Sequence, residues 1–248
     1  MLFRATCAGF ALAAAGTAAA CGGAVGFASD NVLRGASLSD ERPAWLVDAH
    51  CEPARDWVAG VAASRVHLVG RSANVQWSAY VDRRWQFGQD WSAKAGATHY
   101  DAARRAGIDG LRYDEVNAAI GYRGRWRASI AFAPNATDVY YRGKLPPAPG
   151  LPMRRYRAYW LESTMHQPLG DGRFAIDAGA GIAFPGGDHN SRYRYGSIGL
   201  RWQLGDAAIY ATHVWTGAIR WRVEWLGQTY EMALPPRSAW VGTILWAF

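Results

Sequence analysis

The sequence predicts an all-β fold, a transmembrane antiparallel up-and-down β-barrel of about twelve strands that occupies residues 21–248. Three observations predict this fold. Short segments alternate apolar with polar or small residues at a period of two. Short turns alternate with longer loops between these segments. Finally, one such alternating segment ends the chain on an aromatic residue, Phe248.

Residues 1–20 have the features of an export signal peptide. Arg4 supplies a short basic region, an apolar stretch follows it, and the small residues Ala18 and Ala20 suit cleavage. No later apolar run approaches the roughly 20 residues that a membrane-spanning helix needs. We therefore expect export to the cell outer membrane, where residues 21–248 form one domain.

The cysteines leave two possibilities open. Cys7 is lost with the signal, so Cys21 and Cys51 remain, and a single pair does not make a disulfide framework. Alternatively, cleavage before Cys21 permits lipid modification of that residue, although Ala18 stands where a lipoprotein signal usually has Leu. No Cys-x-x-Cys or His/Cys spacing predicts a metal site, and we expect no cofactor.

The composition favours a β-sheet wall with one face toward water and the other toward lipid. The chain has 13 Trp and 12 Tyr, which are amphipathic aromatic residues concentrated where apolar and aqueous regions meet. An aromatic-rich soluble β-sandwich is the alternative. The net charge of +7 indicates acidic partners, which for an exported chain are lipid phosphates, lipopolysaccharide or anionic solutes. No basic run predicts nucleic-acid binding.

Twelve segments are predicted as strands from their alternation. The longest apolar face begins at Phe174 and ends at Phe184, with Asp177 and two glycines among the residues on the opposite face. The predicted strands are 24–35, 43–52, 56–64, 74–84, 90–100, 113–122, 125–134, 155–167, 173–184, 193–204, 207–216 and 238–248.

The lengths of the connections distinguish a membrane barrel from a sandwich. The connections after even-numbered strands are short turns, at 53–56, 86–89, 123–124, 169–172 and 205–206. Those after odd-numbered strands are longer, at 36–42, 65–73, 101–112, 135–154, 185–192 and 217–237. This is the outer-membrane pattern of short periplasmic turns and longer external loops, with both termini on the short-turn side.

The terminal strand carries the signs of barrel closure. Trp240 and Phe248 lie about 26 Å apart along an extended strand, or about 19 Å in height after a tilt near 45°. That is close to the spacing of two aromatic girdles. The ending resembles the signature by which the barrel assembly machinery recognises its substrates. We expect this strand to pair with the first strand around Asp30 and Arg34.

If the apolar positions face lipid, the charged residues of the opposite parity line the lumen. Asp30 and Arg34, four residues apart on the predicted first strand, share a face. The lumen-lining candidates are Asp30, Arg34, Asp82, Lys94, Glu115, Asp177 and Arg201. We expect the basic members to attract anions and Asp30, Glu115 and Asp177 to balance them. Such charges can also pair and fill a barrel, and twelve strands fall between the packed eight and the open sixteen.

One pair of residues predicts a different chemistry. His189 and Ser191 form a His-x-Ser pair similar to that of outer-membrane lipid acyl hydrolases, in which the His is the base and the Ser the nucleophile. However, Arg192 follows Ser191 in place of the usual Asn. The residues before the pair, Pro185–Asp188, are ordinary turn formers. We therefore expect a protein that is not an enzyme.

Two segments carry a family resemblance. Residues 28–35 (ASDNVLRG), followed by Ser37 and Pro43, are similar to the amino-terminal pattern of the TorF-like porin family of proteobacterial exported proteins. Residues 113–126 (YDEVNAAIGYRGRW) resemble that family's central hairpin. Asn31 replaces the usual Tyr, and Leu33 the usual aromatic residue. The resemblance implies an outer-membrane barrel, a transport role that is itself inferred, and no established catalytic residues.

The sequence thus predicts a narrow passive porin for ions or small polar solutes. Two alternatives remain open at this stage. One is a structural or lipid-contacting barrel with a filled lumen. The other, less favoured, is a lipid acyl hydrolase that uses His189 and Ser191.

Overall fold

The computed structural model describes residues 20–67, 74–102, 112–137, 155–185, 192–225 and 228–248. The described residues form only strands, turns and irregular structure, and none of them belongs to a helix that could span a membrane. The strands are β1 (Ala20–Ala28), β2 (Val32–Leu33), β3 (Ala36–Ser37), β4 (Ala44–Ala54), β5 (Trp57–Val66), β6 (Asn74–Phe87), β7 (Trp91–Ala102), β8 (Tyr113–Tyr122), β9 (Trp126–Thr137), β10 (Arg155–Leu169), β11 (Phe174–Pro185), β12 (Tyr193–Leu204), β13 (Ala207–Thr216), β14 (Ile219–Trp225), β15 (Gln228–Leu234) and β16 (Arg237–Ala247).

Twelve of these strands form one closed antiparallel barrel. Their order around the wall is β1-β16-β13-β12-β11-β10-β9-β8-β7-β6-β5-β4, so successive barrel strands are neighbours. Each predicted strand overlaps one barrel strand, and the short turns fall between the predicted pairs, as at Arg123 and Gly124, where φ is 52° and 63°. The predicted fold class is therefore confirmed.

The predicted first strand, 24–35, is wrong beyond Ala28. The strand ends there, and residues 32–37 form the small hairpin β2–β3, in which Val32 pairs with Ser37 and Leu33 with Ala36. The chain reverses because Arg34 and Gly35 both have positive φ, 52° and 78°. Asp30 and Arg34 consequently do not belong to a barrel strand, and the prediction that they share one face of a strand is wrong.

The predicted loop 217–237 also contains more structure than expected. Strands β14 and β15 pair from Ile219 with Leu234 to Trp225 with Gln228, forming a hairpin separate from the barrel sheet. The residues of this hairpin do alternate in the sequence, but neither strand pairs with a barrel strand.

The outward face of the barrel is a continuous apolar belt. Its large exposed side chains lie at alternate, outward-facing positions of the strands, and Trp240 and Phe248 are 70% and 72% exposed. Other members are Val25, Phe27, Val47, Trp57, Val61, Trp77, Val81, Trp91, Val116, Ile120, Trp126, Ile130, Tyr159, Leu161, Phe174, Ile198, Leu200, Trp202, Ile244 and Trp246. An apolar surface that encircles the molecule is unfavourable in water and suits the hydrocarbon of a bilayer.

Aromatic pairs mark both edges of this belt. At the short-turn end, the ring centroids of Trp91 and Tyr122 lie 4.8 Å apart. At the long-loop end, the rings of Phe132 and Tyr159 stack at 4.8 Å. Two aromatic girdles of this kind are typical of membrane barrels, where such rings sit at the two interfaces.

The barrel closes between its first and last strands. Residues Ala24 to Ala28 pair with Ala247 to Thr243. Gly23 and Phe248 then exchange two backbone hydrogen bonds, of 2.8 and 3.0 Å. A Cβ atom at position 23 would lie 2.9 Å from the Phe248 ring, so glycine is what allows the ring to lie against the wall. The expected pairing of these strands is confirmed, but it ends near Ser29 and does not include Asp30 or Arg34.

A disulfide joins the first two barrel strands near the short-turn end. Cys21 of β1 faces Cys51 of β4 directly, and their sulfur atoms are bonded. Lipid modification of Cys21 would need the same sulfur atom. The disulfide and the lipoprotein alternative therefore exclude each other.

We predict that deletion of Phe248 destabilises the closed barrel, because the two backbone hydrogen bonds to Gly23 that end the closing seam are lost. The measurement is heat-modifiable migration on a gel as a function of temperature. Phe248→Leu keeps both backbone bonds and serves as the control, with an unfolding temperature closer to that of the full chain. An unchanged unfolding temperature for the deletion would contradict this account of closure.

We also predict that a reducing agent lowers the unfolding temperature. The disulfide closes a stretch with a sequence separation of 30 residues, and a link of that size contributes about 3 kcal/mol. Cys51→Ser should be insensitive to the reducing agent. Intact mass spectrometry provides the second readout: a mass increment for diacylglycerol at Cys21, together with no effect of reduction, would refute the disulfide.

Candidate functional site in the barrel lumen

Residues 29–43, hereafter the inserted segment, connect β1 to β4 at the long-loop end of the barrel. Its residues Asp30, Asn31, Arg34, Leu38 and Ser39 are all buried, although β1 and β4 are adjacent and a short surface turn would join them. The segment instead folds into the lumen. It is the feature around which the candidate site is built.

Polar contacts hold the base of the inserted segment against the wall. The Ser37 hydroxyl donates a hydrogen bond of 2.6 Å to Asp30, and Arg237 of β16 forms an ion pair of 2.6 Å with the other oxygen of that carboxylate. On the other side, the Asn31 side-chain amide donates to Ser64 Oγ of β5 at 3.2 Å. The base is thus fixed to strands on either side of β1 and β4.

The tip of the inserted segment reaches the opposite wall. Arg34 Nη1 donates to Glu115 of β8 at 2.8 Å, and Arg34 Nε lies 3.9 Å from Glu162 of β10. The guanidinium also lies 4.0 Å from the ring centroid of Trp160. The side chains of Arg34 and Glu115 are only 5% and 2% exposed. Because arginine stays charged and a buried charge needs a partner, this ion pair anchors the tip.

Two further strands hold the tip from the side. Tyr195 of β12 donates its hydroxyl to Glu162 at 2.8 Å, which fixes the second carboxylate. The Thr216 hydroxyl of β13 donates to the Gly35 carbonyl at 2.6 Å. A Cβ atom at Gly35 would collide with Thr216 and Tyr195, so the close approach requires glycine. The inserted segment therefore spans the lumen from β1 and β4 to β8, β10, β12 and β13.

The other predicted lumen residues lie on barrel strands with their side chains inward. Lys94 forms an ion pair with Asp82 at 2.6 Å, and Asp177 contacts His166 Nδ1 at 2.6 Å. Arg201 donates to the Gln203 side-chain oxygen. Among the three acids expected to balance the basic residues, only Glu115 faces a predicted partner, Arg34. The others contact residues that the prediction did not include.

Several inward-facing charged groups were missed by the sequence reasoning. Asp48 accepts a hydrogen bond of 2.9 Å from Tyr80 and contacts His50 at 2.7 Å, and Glu52 pairs with Arg84 at 3.3 Å. Glu162 was missed as well. The same parity rule could have found them, because Asp48, His50 and Glu52 alternate with outward-facing residues along β4.

Exposure differs between the two halves of the lumen. In the long-loop half, the charged groups around Arg34 are almost completely buried. In the short-turn half, the side chains of His166, Asp177, Arg84 and Glu52 are partly exposed, the first by 35%. The described part of the lumen therefore forms a polar, partly exposed vestibule toward the short turns, and the inserted segment occupies its other end.

The structure does not test the hydrolase alternative. His189 and Ser191 lie outside the described residues. The described part of the chain contains another Ser–His contact, 2.7 Å between Ser238 Oγ and His213 Nε2 on the outward face. Within that part, no group orients His213 through Nδ1. The pair therefore has a hydroxyl and a base but lacks the third residue that orients the base in nucleophilic catalysis. Nor do the described residues group three metal-ligating side chains together.

Comparisons with known proteins bear on the fold alone. No protein-family model and no curated protein matches the chain. Among solved structures, a membrane protein crystallised in meso has a TM-score of 0.55 and 6% identity, over 92% of this chain and 83% of that chain. An outer membrane channel from Pseudomonas putida F1 has a TM-score of 0.49 and 9% identity, over 96% and 97% of the two chains. The translocator domain of the autotransporter NalP from Neisseria meningitidis has a TM-score of 0.45 and 10% identity, over 99% and 93%.

The last two likenesses are too weak to carry an argument, and the first supports the fold only. The closed sheet of twelve strands, its apolar belt and its polar lumen define the fold independently. The chain has the fold of an outer-membrane β-barrel.

We predict that Gly35→Ala loosens the inserted segment, because the added methyl group would meet Thr216 and Tyr195. Limited trypsin digestion in detergent should then cleave after Arg34, which is buried in the unmodified protein. Gly88→Ala is the matched control, since Gly88 also has positive φ, 64°, but no atom lies within 4 Å of the added carbon. Equal resistance of both variants at Arg34 would refute the packing described for the tip.

Proposed function

We propose that the protein is a narrow passive pore of the outer membrane for ions or small polar solutes, and that the inserted segment forms its constriction. One observation carries the proposal: a closed barrel keeps a polar, partly exposed vestibule on one side of the inserted segment, which crosses the lumen. The proposal includes no enzymatic activity.

The chemistry of the lumen supports passage. Charged groups such as Asp82, Lys94 and Asp177 stand where a purely structural barrel could have apolar side chains. Replacement of a buried ion pair by well-packed apolar residues is often neutral or stabilising. The charges are therefore better explained by contact with water and solutes than by the stability of the wall.

Selectivity is expected to be weak. Arg34 is neutralised by Glu115 and lies near Glu162, while Lys94 is neutralised by Asp82. Arg201 contacts the Gln203 amide and lies 5.9 Å from the Tyr210 ring centroid. We propose a poorly selective pore with a modest preference for anions, which the net charge of +7 favours.

A barrel with a filled lumen is the second candidate. The inserted segment and its buried ion pair with Glu115 favour it, because they close the long-loop end in this conformation. A segment held by polar contacts can nevertheless leave its position when those contacts are replaced by water. Electrical measurements separate the two candidates.

The remaining expectations belong to the same proposal. The short turns would face the periplasm and the long loops the exterior. The outward belt would contact outer-membrane lipids and lipopolysaccharide, and the terminal strand ending in Phe248 would engage the barrel assembly machinery. The resemblance of residues 28–43 and 113–126 to the TorF-like porin family is compatible with this role and remains a prediction.

We predict stepwise conductance from the unmodified protein in planar bilayers, and larger steps when residues 31–41 are replaced by a short Gly-Ser linker, because the constriction is removed. Removal of the β14–β15 hairpin (219–234) is the control, since it shortens another long loop. No conductance steps from the unmodified protein or from the linker variant would refute the pore. Steps of equal size from these two proteins and the hairpin deletion would refute the constriction.

A further inference from the structure

Three arginines lie together on the outward face of the barrel at its long-loop end. Arg157 and Arg194 are exposed, and each stands between two residues that are buried inside the barrel, so both point outward. Arg192, exposed just before β12, completes the group. We call Arg157, Arg192 and Arg194 the arginine patch.

The strand register brings the arginine patch into one area. Phe184 of β11 pairs with Tyr159 of β10, and Ala183 pairs with Tyr193 of β12, which places Arg192 level with Phe184. The Arg192 guanidinium lies 5.7 Å from the Phe184 ring centroid. Adjacent strands are about 4.8 Å apart and the rise is about 3.3 Å per residue, so the patch spans roughly 10 Å across three strands and roughly 13 Å along them.

The positive charge of the patch is not balanced within the described part of the chain. None of its three side chains forms a hydrogen bond or an ion pair with another described residue. Elsewhere in that part, guanidinium groups such as those of Arg34, Arg84 and Arg237 have carboxylate partners. The patch thus offers three positively charged groups to an external anion.

The position of the patch indicates the kind of anion. Tyr159 of the apolar belt is level with Arg192, and Leu161 is level with Arg194. Arg157 lies beyond Tyr159 toward the long loops, and the patch therefore overlaps the long-loop edge of the belt, next to the level of lipid headgroups. With the orientation of the proposed outer-membrane pore, on which this step rests, these are the headgroups of the outer leaflet.

We propose that the arginine patch binds the phosphate groups of lipopolysaccharide in the outer leaflet. Guanidinium groups are planar and present paired donors that match phosphate oxygens, and they are more weakly hydrated than lysine ammonium groups. The sugar and acyl parts of the same lipid would lie on Phe184, Tyr159 and the belt below. A lipid with both charged phosphates and acyl chains fits this surface better than a soluble anion.

Binding of diphosphorylated lipid A to the purified barrel in detergent tests the proposal, with native mass spectrometry as the readout. Dephosphorylated lipid A and inorganic phosphate are the comparison ligands. We expect the diphosphorylated lipid to bind most tightly. The triple variant Arg157→Gln, Arg192→Gln, Arg194→Gln should weaken its binding about tenfold or more, since the charge-assisted hydrogen bonds from guanidinium to phosphate are lost.

The matched control removes three exposed arginines at the opposite end of the barrel, in Arg55→Gln, Arg123→Gln, Arg173→Gln. It changes the net charge equally and should leave binding unaltered. An equal loss in both triple variants would overturn the proposal, as would equal binding of the dephosphorylated lipid or of inorganic phosphate. Because conductance is not measured, failure here leaves the proposed pore standing, and failure of the pore leaves lipid binding measurable.

Discussion

The structure depends on one constraint: hydrocarbon cannot satisfy the hydrogen bonds of an exposed backbone. A sheet in a bilayer must therefore close on itself. In this chain the closure is made by β1 and β16, and it ends with the reciprocal hydrogen bonds between Gly23 and Phe248. The outward belt and the inward polar face both follow, because a closed sheet has only an outside and an inside for its alternating side chains.

Closure of the sheet also creates interior space, which the inserted segment partly fills. A barrel of twelve strands has more interior space than the side chains of an eight-stranded barrel fill. Here the long-loop half of that space is occupied by backbone and by Arg34. Its anchoring groups come from β8 and β10 of the opposite wall and from β12 and β13 at the side. The short-turn half keeps partly exposed charges. The two halves therefore have different properties within one continuous sheet.

The polarity of the outer surface is less uniform than the belt alone indicates. At the long-loop rim, β7 to β9 present His99, Asp114 and Asn135, which hydrogen-bond to one another. The same rim at β10 to β12 presents the arginine patch. One sector satisfies its own polar groups and the other leaves positive charge for a partner. Lipids around such a barrel would not contact all sectors equally.

The sequence by itself determined the twelve barrel strands, the alternation of short turns with long loops, and the inward parity of Asp82, Lys94, Glu115, Asp177 and Arg201. These features are local, since a period of two residues and the composition of a turn are visible within a few positions. The end of β1 at Ala28 was not predicted, because it depends on the reversal of the chain at Arg34 and Gly35, whose positive φ a period-two pattern does not show.

Only the tertiary structure decided that residues 29–43 enter the lumen and which charges meet there. Arg34 and Glu115 are 81 residues apart, and their contact exists because the curvature of the closed sheet brings opposite walls within reach of one arginine. The partners of Asp30 and Asp177 likewise depend on where other strands lie in the register. Sequence alternation fixes which face a residue occupies, and closure of the sheet fixes what it meets on that face.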